Sequence, residues 1–176
     1  AADFRRLHAA GVFADPQYLH LDGAPLVAVW GVGFADGRDY TLDECAALVD
    51  LLHDDAEVGG NAVMLGLPHG FRRGRRDAVA DPALQALAAR VEVVSPWSVG
   101  RYADREQIRR NQQDVLTPDL EWCRARDVAY LPVAFPGFSW HNLRAGTTEL
   151  GQIPRQGGEF YWSQFGAAAD AGADSV

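Results

Sequence analysis

Apolar residues in this chain fall into short continuous runs, separated by stretches in which they recur every three or four positions. Pro25 to Val29 is one such run and ends at Trp30-Gly31; Asn61 to Leu67, Val91 to Ser95 and Val128 to Phe135 are three more. Runs of this length, rich in Val and Leu and closed by Gly or Pro, predict buried strands. The stretches between them carry helix-start signals. Thr41-Leu42-Asp43-Glu44 has the form of a capping box, in which the Thr hydroxyl and the Glu carboxylate satisfy the first free amides, and it opens a helix of about 14 residues. Asp81-Pro82 supplies a cap with proline at the first helical position, for a helix over Ala83 to Arg90. Asp104 to Arg126 predicts helix in two pieces, divided near Thr117-Pro118 by a second cap-plus-proline restart. Ala1 to Ala10 predicts a helix closed by Gly11, and Glu159 to Ala171 another. Gly172 to Val176 has the form of a turn entering a fifth strand.

Strand and helix thus alternate at roughly 30 to 45 residues per unit, the rhythm of βα repeats around a parallel sheet. The expected class is α/β. A doubly wound sheet fits the same rhythm, but no Gly-x-Gly-x-x-Gly and no phosphate-loop lysine follows any of the strands, which lowers the weight of the nucleotide-binding versions. A complete (β/α)8 barrel takes about 250 residues. The 176 residues here hold four βα units and the start of a fifth strand, so the expectation is an incomplete piece of a barrel forming a single domain over 1–176. Such a piece would leave its edges around Pro25 and Val176 unpaired, with apolar surface open to association.

Composition narrows the functional classes. At 48% hydrophobic and 23% charged, the chain can bury a core as one globular unit. A net charge of −8 argues against nucleic acid, which draws on a basic surface. No run of about 18 apolar residues suggests a membrane span, and Ala1-Ala2-Asp3-Phe4-Arg5-Arg6-Leu7 has no signal-peptide core. Cys45 and Cys123 both fall in helical patterns and read as small core residues, so no disulfide framework is expected. His69 has no His, Asp or Glu at ligand spacing, and no metal or other cofactor is expected. Nothing in the pattern calls for an obligate protein partner.

The residues after each strand carry the candidate chemistry, because parallel β/α folds bind ligands at the carboxyl ends of their strands. These are Trp30, Phe34 and Asp36; then Pro68, His69, Phe71 and Arg72; then Trp97, Arg101 and Tyr102; then Phe138, Trp140, His141 and Asn142. An aromatic residue recurs in every set. An indole offers a flat face to the apolar side of a pyranose, and His, Asn and Arg can bond its hydroxyls, so the set suits a neutral sugar. Glycoside hydrolysis needs two carboxyl groups, about 5 to 5.5 Å apart for retention or about 6.5 to 9.5 Å for inversion. The sequence displays no such pair. Asp36 and Asp39 flank a polar turn, and Asp104, Glu106 and Glu159 stand at helix starts, where acidic groups favour the helix dipole. Glu149 stands within the loop that follows the fourth strand.

Phe-Pro-Gly-Phe-Ser-Trp-His-Asn at 135 to 142 and Gln-Ile-Pro-Arg-Gln-Gly-Gly-Glu-Phe-Tyr-Trp-Ser-Gln at 152 to 164 resemble bacterial glycoside hydrolases of the 71/99-like group. Val29-Trp30-Gly31, Val63 to Pro68 and Val94 to Tyr102 resemble the same group in the same order. Its members are (β/α)8 barrels that include endo-α-mannosidases, with relatives labelled xylosidase or arabinosidase. The resemblance implies a partial barrel of the triose-phosphate-isomerase type and an oligosaccharide or polysaccharide substrate. It makes a periplasmic or secreted location plausible, and it implies catalytic carboxylates at the end of a later strand, beyond residue 176. Substrate binding is implied at Trp97, Tyr102, Trp140, His141, Asn142, Arg155 and Tyr161, and the strand-end positions add Trp30 and His69. The chain departs from the mannosidases at Pro136-Gly137-Phe138-Ser139-Trp140, where they carry Pro-Gly-Tyr followed by acidic residues.

Three functions of different class follow: the carbohydrate-binding portion of a glycoside hydrolase, a glycan-binding barrel that does not cleave, and a phosphosugar isomerase or lyase. The third would use the basic loop Arg72-Arg73-Gly74-Arg75-Arg76, which otherwise reads as a solvated turn beside Asp77.

Overall fold

The structure is a computed structural model, and it describes residues 2–141 and 152–174. The chain separates into two compact units, Ala1–Val94 and Ser95–Val176.

Unit 1 opens with helix α1 (Ala2–Ala9) and a two-stranded hairpin of β1 (His20–Leu21) and β2 (Ala24–Trp30). The β1 strand is absent from the sequence expectation. Its turn is Asp22-Gly23, both at positive φ (51° and 86°), the backbone that a two-residue hairpin loop requires. Leu21 then pairs with Ala24 and His20 with Pro25 in antiparallel register. The expected open edge at Pro25 is therefore covered, because the chain folds back on it. The long strand beside β2 is β3 (Ala62–Pro68), parallel to it from Leu26↔Ala62 to Trp30↔Gly66. Six of the seven β3 residues are buried, as expected of a strand covered on both faces.

Helix α2 (Leu42–Asp54) crosses between β2 and β3 and turns Cys45, Val49 and Leu52 inward, at helical spacing. Both halves of its capping box form: the Glu44 N–H donates to the Thr41 hydroxyl at 3.2 Å, and the Thr41 N–H donates to the Glu44 carboxylate at 2.8 Å. The Thr41 N–H, and after it the Thr41 hydroxyl at 3.0 Å, donate to the Glu44 carboxylate and hold it below its ordinary value. After α2, the buried Asn61 side-chain amide donates to the Leu52 and Val58 carbonyls and locks the entry to β3. Helix α3 (Ala83–Ala88) follows, with Asp81 accepting the Ala83 N–H at 2.9 Å. Strand β4 (Val93–Trp97) begins in unit 1, where the strand order is β1-β2-β3-β4.

Unit 2 takes β4 onward. Helix α4 (Arg105–Asn111) starts at Asp104, whose carboxylate accepts the Gln107 N–H at 2.8 Å. It passes through a wide π-helical stretch, Gln112–Leu116, into α5 (Thr117–Arg124). Here the sequence expectation is corrected. Thr117 has helical φ and ψ (−60°, −49°) and caps nothing, so the helix does not restart. Pro118 lacks the N–H that would close an ordinary helical turn, and the wide turn before it carries the chain past that gap.

The next strand is also shorter than expected. β5, beside β4, is only Ala129–Tyr130, and 131–135 lie in no ladder, since Pro132 has no N–H to give one. Helix α6 (Glu159–Asp170) is the last element among the described residues, with Phe160, Gln164 and Ala168 buried. The core of unit 2 is Tyr102, Ile108, Phe135, Ile153 and Phe160, with a second cluster of Leu116, Leu120 and Ala168. Cys45 and Cys123 are both buried, and neither is in a disulfide. The expected fifth-strand start at Ser175-Val176 lies outside the described residues. Among the described residues, no helix is long and apolar enough to cross a membrane.

The α/β class and the succession of four βα units, expected of a (β/α)8-type barrel, are those observed.

Candidate functional site

Each unit presents its own set of strand-end residues. In unit 1, Trp30 closes β2 and remains 47% exposed. Its ring lies across Gly66, its partner in the parallel register: a Cβ on that glycine would stand 2.1 Å from the indole. Gly66 is thus what allows the indole to lie flat on the sheet. His69 follows β3 but is only 4% exposed, with its N–H and that of Gly70 donating to the Asp77 carboxylate, both at 3.2 Å. Phe71 is fully buried, a core residue. Asp77 is therefore occupied in shaping the turn that carries the Arg72 to Arg76 loop.

A cleft of about 260 Å³ lies beside the β2–α2 loop, lined by Phe34, Arg38, Tyr40, Thr41, Val79 and Asp81 among others. Its polar groups serve the fold. Arg38 is ion-paired with Asp36 at 2.9 Å, Tyr40 donates its hydroxyl to the Gly31 carbonyl, and Thr41 and Asp81 cap helices. Asp36 is thus a turn residue, as its spacing suggested.

Unit 2 holds the more developed arrangement. Trp97, at the end of β4, is 40% exposed. The chain then turns through Ser98, whose hydroxyl donates to the Val133 carbonyl and so ties the turn to the segment that continues β5. Gly137 comes next after Pro136 and stands against Ile153 and Arg155: a Cβ there would lie 2.7 Å from the Ile153 carbonyl oxygen and 3.1 Å from Arg155 Cγ, at a φ of 150°. That approach lets Phe138 and Ile153 exchange both main-chain bonds, at 3.0 and 2.9 Å, in an isolated antiparallel bridge.

Past the bridge, the Trp140 N–H donates to Gln152 Oε1 at 3.0 Å, and the His141 N–H donates to Ser139 Oγ at 3.2 Å. Trp140 is 42% exposed and meets Phe138 edge to face, with centroids 5.0 Å apart. Trp140, His141 and the exposed Arg155 are thus gathered by one short bridge. Asn142 and Glu149 lie outside the described residues.

Tyr102 and Tyr161 are placed differently. Tyr102 is 6% exposed, packed on Phe135 and Phe160, and burial pushes its phenol up while its bond to Ser98 pulls the other way. It occupies a core position below the loop. Tyr161 is half-buried on α6 against Phe165, centroids 4.9 Å apart, with the exposed Trp162 beside it. Sequence reasoning missed the groups that hold the loop: Ser98, Gln152 and Gln164. Gln164 binds the Phe135 main chain on both sides. A glutamine on a helix gives no signal of its own in sequence; only its place three residues before Ala167 and four after Phe160, on the inward face, could have marked it.

Three acidic residues of unit 2 that the sequence raised have structural engagements. Glu159 pairs with Arg105, Asp104 caps α4, and Glu106 is held below its ordinary range by hydrogen bonds from Arg109 and Arg110. Among the described residues, no group of three or more His, Cys, Asp or Glu could hold a metal ion.

No family model and no curated protein matches the chain. Solved structures do. The structure of a GH99 endo-alpha-mannosidase from Bacteroides thetaiotaomicron matches with a TM-score of 0.64 at 14% identity, over 99% of this chain and 46% of its own. A structure of the GH99 endo-alpha-mannosidase from that organism in complex with BIS-TRIS-propane matches with a TM-score of 0.61, again at 14% identity, over 99% of this chain and 49% of its own. The chain spans about half the length of the structures it matches, and over that half it shares the fold of a GH99 glycosidase.

Proposed function

We propose that this chain is the carbohydrate-binding portion of a glycoside hydrolase, acting on the O-glycosidic bonds of an oligosaccharide or polysaccharide. On this reading the acid and base carboxylates are not Asp36, Glu149 or Glu159 but stand at the end of a later strand. The observation that carries it is the pair of half-exposed tryptophans in unit 2, Trp97 at the end of β4 and Trp140 after the Phe138–Ile153 bridge. Support comes also from the fold shared with a glycosidase. The Trp140 ring already packs edge to face on Phe138, so it loses little side-chain freedom when a sugar stacks on it, which favours binding. His141 and Arg155, brought to the same loop, suit the hydroxyls around the sugar rim.

Titrating the chain with α-mannan and xylan oligosaccharides, followed by tryptophan fluorescence and calorimetry, tests this. Saturable binding of one of the two is expected, weakened about tenfold by Trp140→Ala, equivalent to ~1.4 kcal/mol. No binding of either sugar would overturn the proposal. Aryl glycosides provide the second arm: hydrolysis by this chain would show that the carboxylates are present after all and bring Asp36, Glu149 and Glu159 back as candidates.

A further inference from the structure

Resting on the reading of 136–141 as a glycan-binding loop, we propose that Gln164 is the positioning residue that sets the course of that loop, its side-chain amide standing in for the strand that β5 does not extend. Gln164 is buried on α6. Its Oε1 accepts the Phe135 N–H at 3.0 Å, and its Nε2 donates to the Phe135 carbonyl at 2.8 Å. Two residues facing each other in an antiparallel ladder exchange this same pair of bonds. Phe135 lies five residues past the end of β5 and in no ladder, yet both of its main-chain groups are satisfied in the interior.

The remaining valences of the amide are also used. Nε2 donates its second hydrogen to the Phe160 carbonyl at 2.9 Å, and Oε1 accepts from the Tyr102 hydroxyl at 3.2 Å. An amide has two donors and two acceptor lone pairs, and here two carbonyls face the nitrogen while a main-chain N–H and the Tyr102 hydroxyl face the oxygen, so a flipped amide would lose both carbonyls and the N–H and keep only the hydroxyl, which can accept as well as donate. A fully satisfied buried amide is rigid for that reason. Phe135 is followed at once by Pro136 and Gly137, with one residue more to the Phe138–Ile153 bridge. Any shift at Phe135 is therefore passed to Trp140 and His141 with little slack between.

Amide hydrogen exchange by NMR, joined to oligosaccharide titration, tests the proposal. In the wild-type chain the Phe135 amide should exchange at least about a hundredfold more slowly than an unstructured amide. Fast exchange would overturn the proposal without any variant being made. Gln164→Met keeps the length of the side chain and removes the amide. It should speed exchange at Phe135 and Phe138 by about tenfold or more and weaken binding of the mannan or xylan oligosaccharide by a similar factor.

A merely structural role would act through stability alone. Leu120→Ala, in the other apolar cluster of unit 2, supplies that control: it should lower the melting temperature while leaving the oligosaccharide Kd within about twofold of wild type. Equal weakening by Leu120→Ala, or wild-type exchange and binding in Gln164→Met, would overturn the assignment. Tyr102→Phe removes one donor to Oε1 and leaves the Phe135 clamp in place, so Phe135 exchange should stay within about twofold of wild type. A large acceleration would assign the positioning to Tyr102 instead, and this variant decides the matter if Gln164→Met does not fold. If the wild-type chain binds neither sugar, the glycan reading fails while the exchange data still decide what holds the loop.

Discussion

In unit 1, β2 and β3 are each seven residues long and run in parallel register, so that main chain satisfies main chain and apolar side chains fill the space between sheet and helices. In unit 2, β5 has two residues, and the segment beyond it is held by side chains instead: the Ser98 hydroxyl on Val133, the Gln164 amide on Phe135, and Gln152 on Trp140. A ladder fixes a strand at every residue but keeps it straight. Single polar side chains fix chosen residues and let the chain bend between them, which a loop needs if it is to leave the sheet and present rings. The cost is exposure to point mutation, because removing the Gln164 side chain alone leaves two main-chain groups of Phe135 without partners.

The largest effect that could break this comparison is truncation at the centre of the unit 2 core. Phe160 is fully buried against Tyr102 and Phe135, with centroids 6.3 and 5.2 Å away. Phe160→Ala should destabilise by about 3–5 kcal/mol in urea unfolding. Four of the five tryptophans lie in unit 2, so fluorescence reports mainly on that unit. A loss below ~1 kcal/mol would mean that side-chain hydrogen bonds, not the aromatic cluster, carry the stability of unit 2.

Next in size is Gly66→Ala in unit 1. The added Cβ meets the Trp30 ring, and overpacking of this kind should cost about 1–3 kcal/mol. Trp30→Ala in the same chain should return part of the loss, as expected of two residues in contact. No cost and no rescue would mean that the indole does not lie on Gly66.

The smallest effect concerns the start of α2. Thr41→Ala should cost ~1 kcal/mol at neutral pH, since it removes one half of the capping box. The other half depends on the ionised Glu44, whose folded value is lowered by the Thr41 N–H first and the Thr41 hydroxyl second. A lowered carboxyl contributes stability above its ordinary value and loses it as pH falls through the folded value. The difference between wild type and Thr41→Ala should therefore shrink on acidification below the ordinary carboxylate range, and thermal melts across that range would reveal it. A difference that stays constant would mean that the Thr41 hydroxyl does not hold the Glu44 carboxylate.

Local signals in the chain were strong wherever one residue type admits one conformation. The Thr41 to Glu44 capping box, the Asp104 cap, the apolar run over 62–67 and the helix over 159–170 are all where short-range chemistry puts them. The same local reasoning misjudged Thr117-Pro118, because a cap and an uninterrupted helix with a wide turn look alike until it is known what the helix packs on. It missed β1, though Asp22-Gly23 is a hairpin signal, because two residues of strand carry no periodicity.

For the candidate site, the rings were legible and their burial was not. Trp30, Trp97, Trp140, His69 and Tyr102 all follow strands in sequence, yet the first three stand half-exposed while His69 and Tyr102 are buried. That difference depends on what packs over each residue, and those neighbours come from other parts of the chain.

By itself, then, the sequence determined the α/β alternation, the helix starts at Thr41 and Asp104, and the segment between Tyr130 and Trp162 as the place where aromatic and polar groups concentrate, since each follows from side chains within a few positions of one another. Tertiary structure alone decided that the fourth apolar run would pair over only two residues, that a glutamine 29 positions away would complete its hydrogen bonds, and that Gly66 would lie under Trp30. Hydrogen-bond satisfaction and close packing are settled between residues distant in the chain, and no local pattern records their partners.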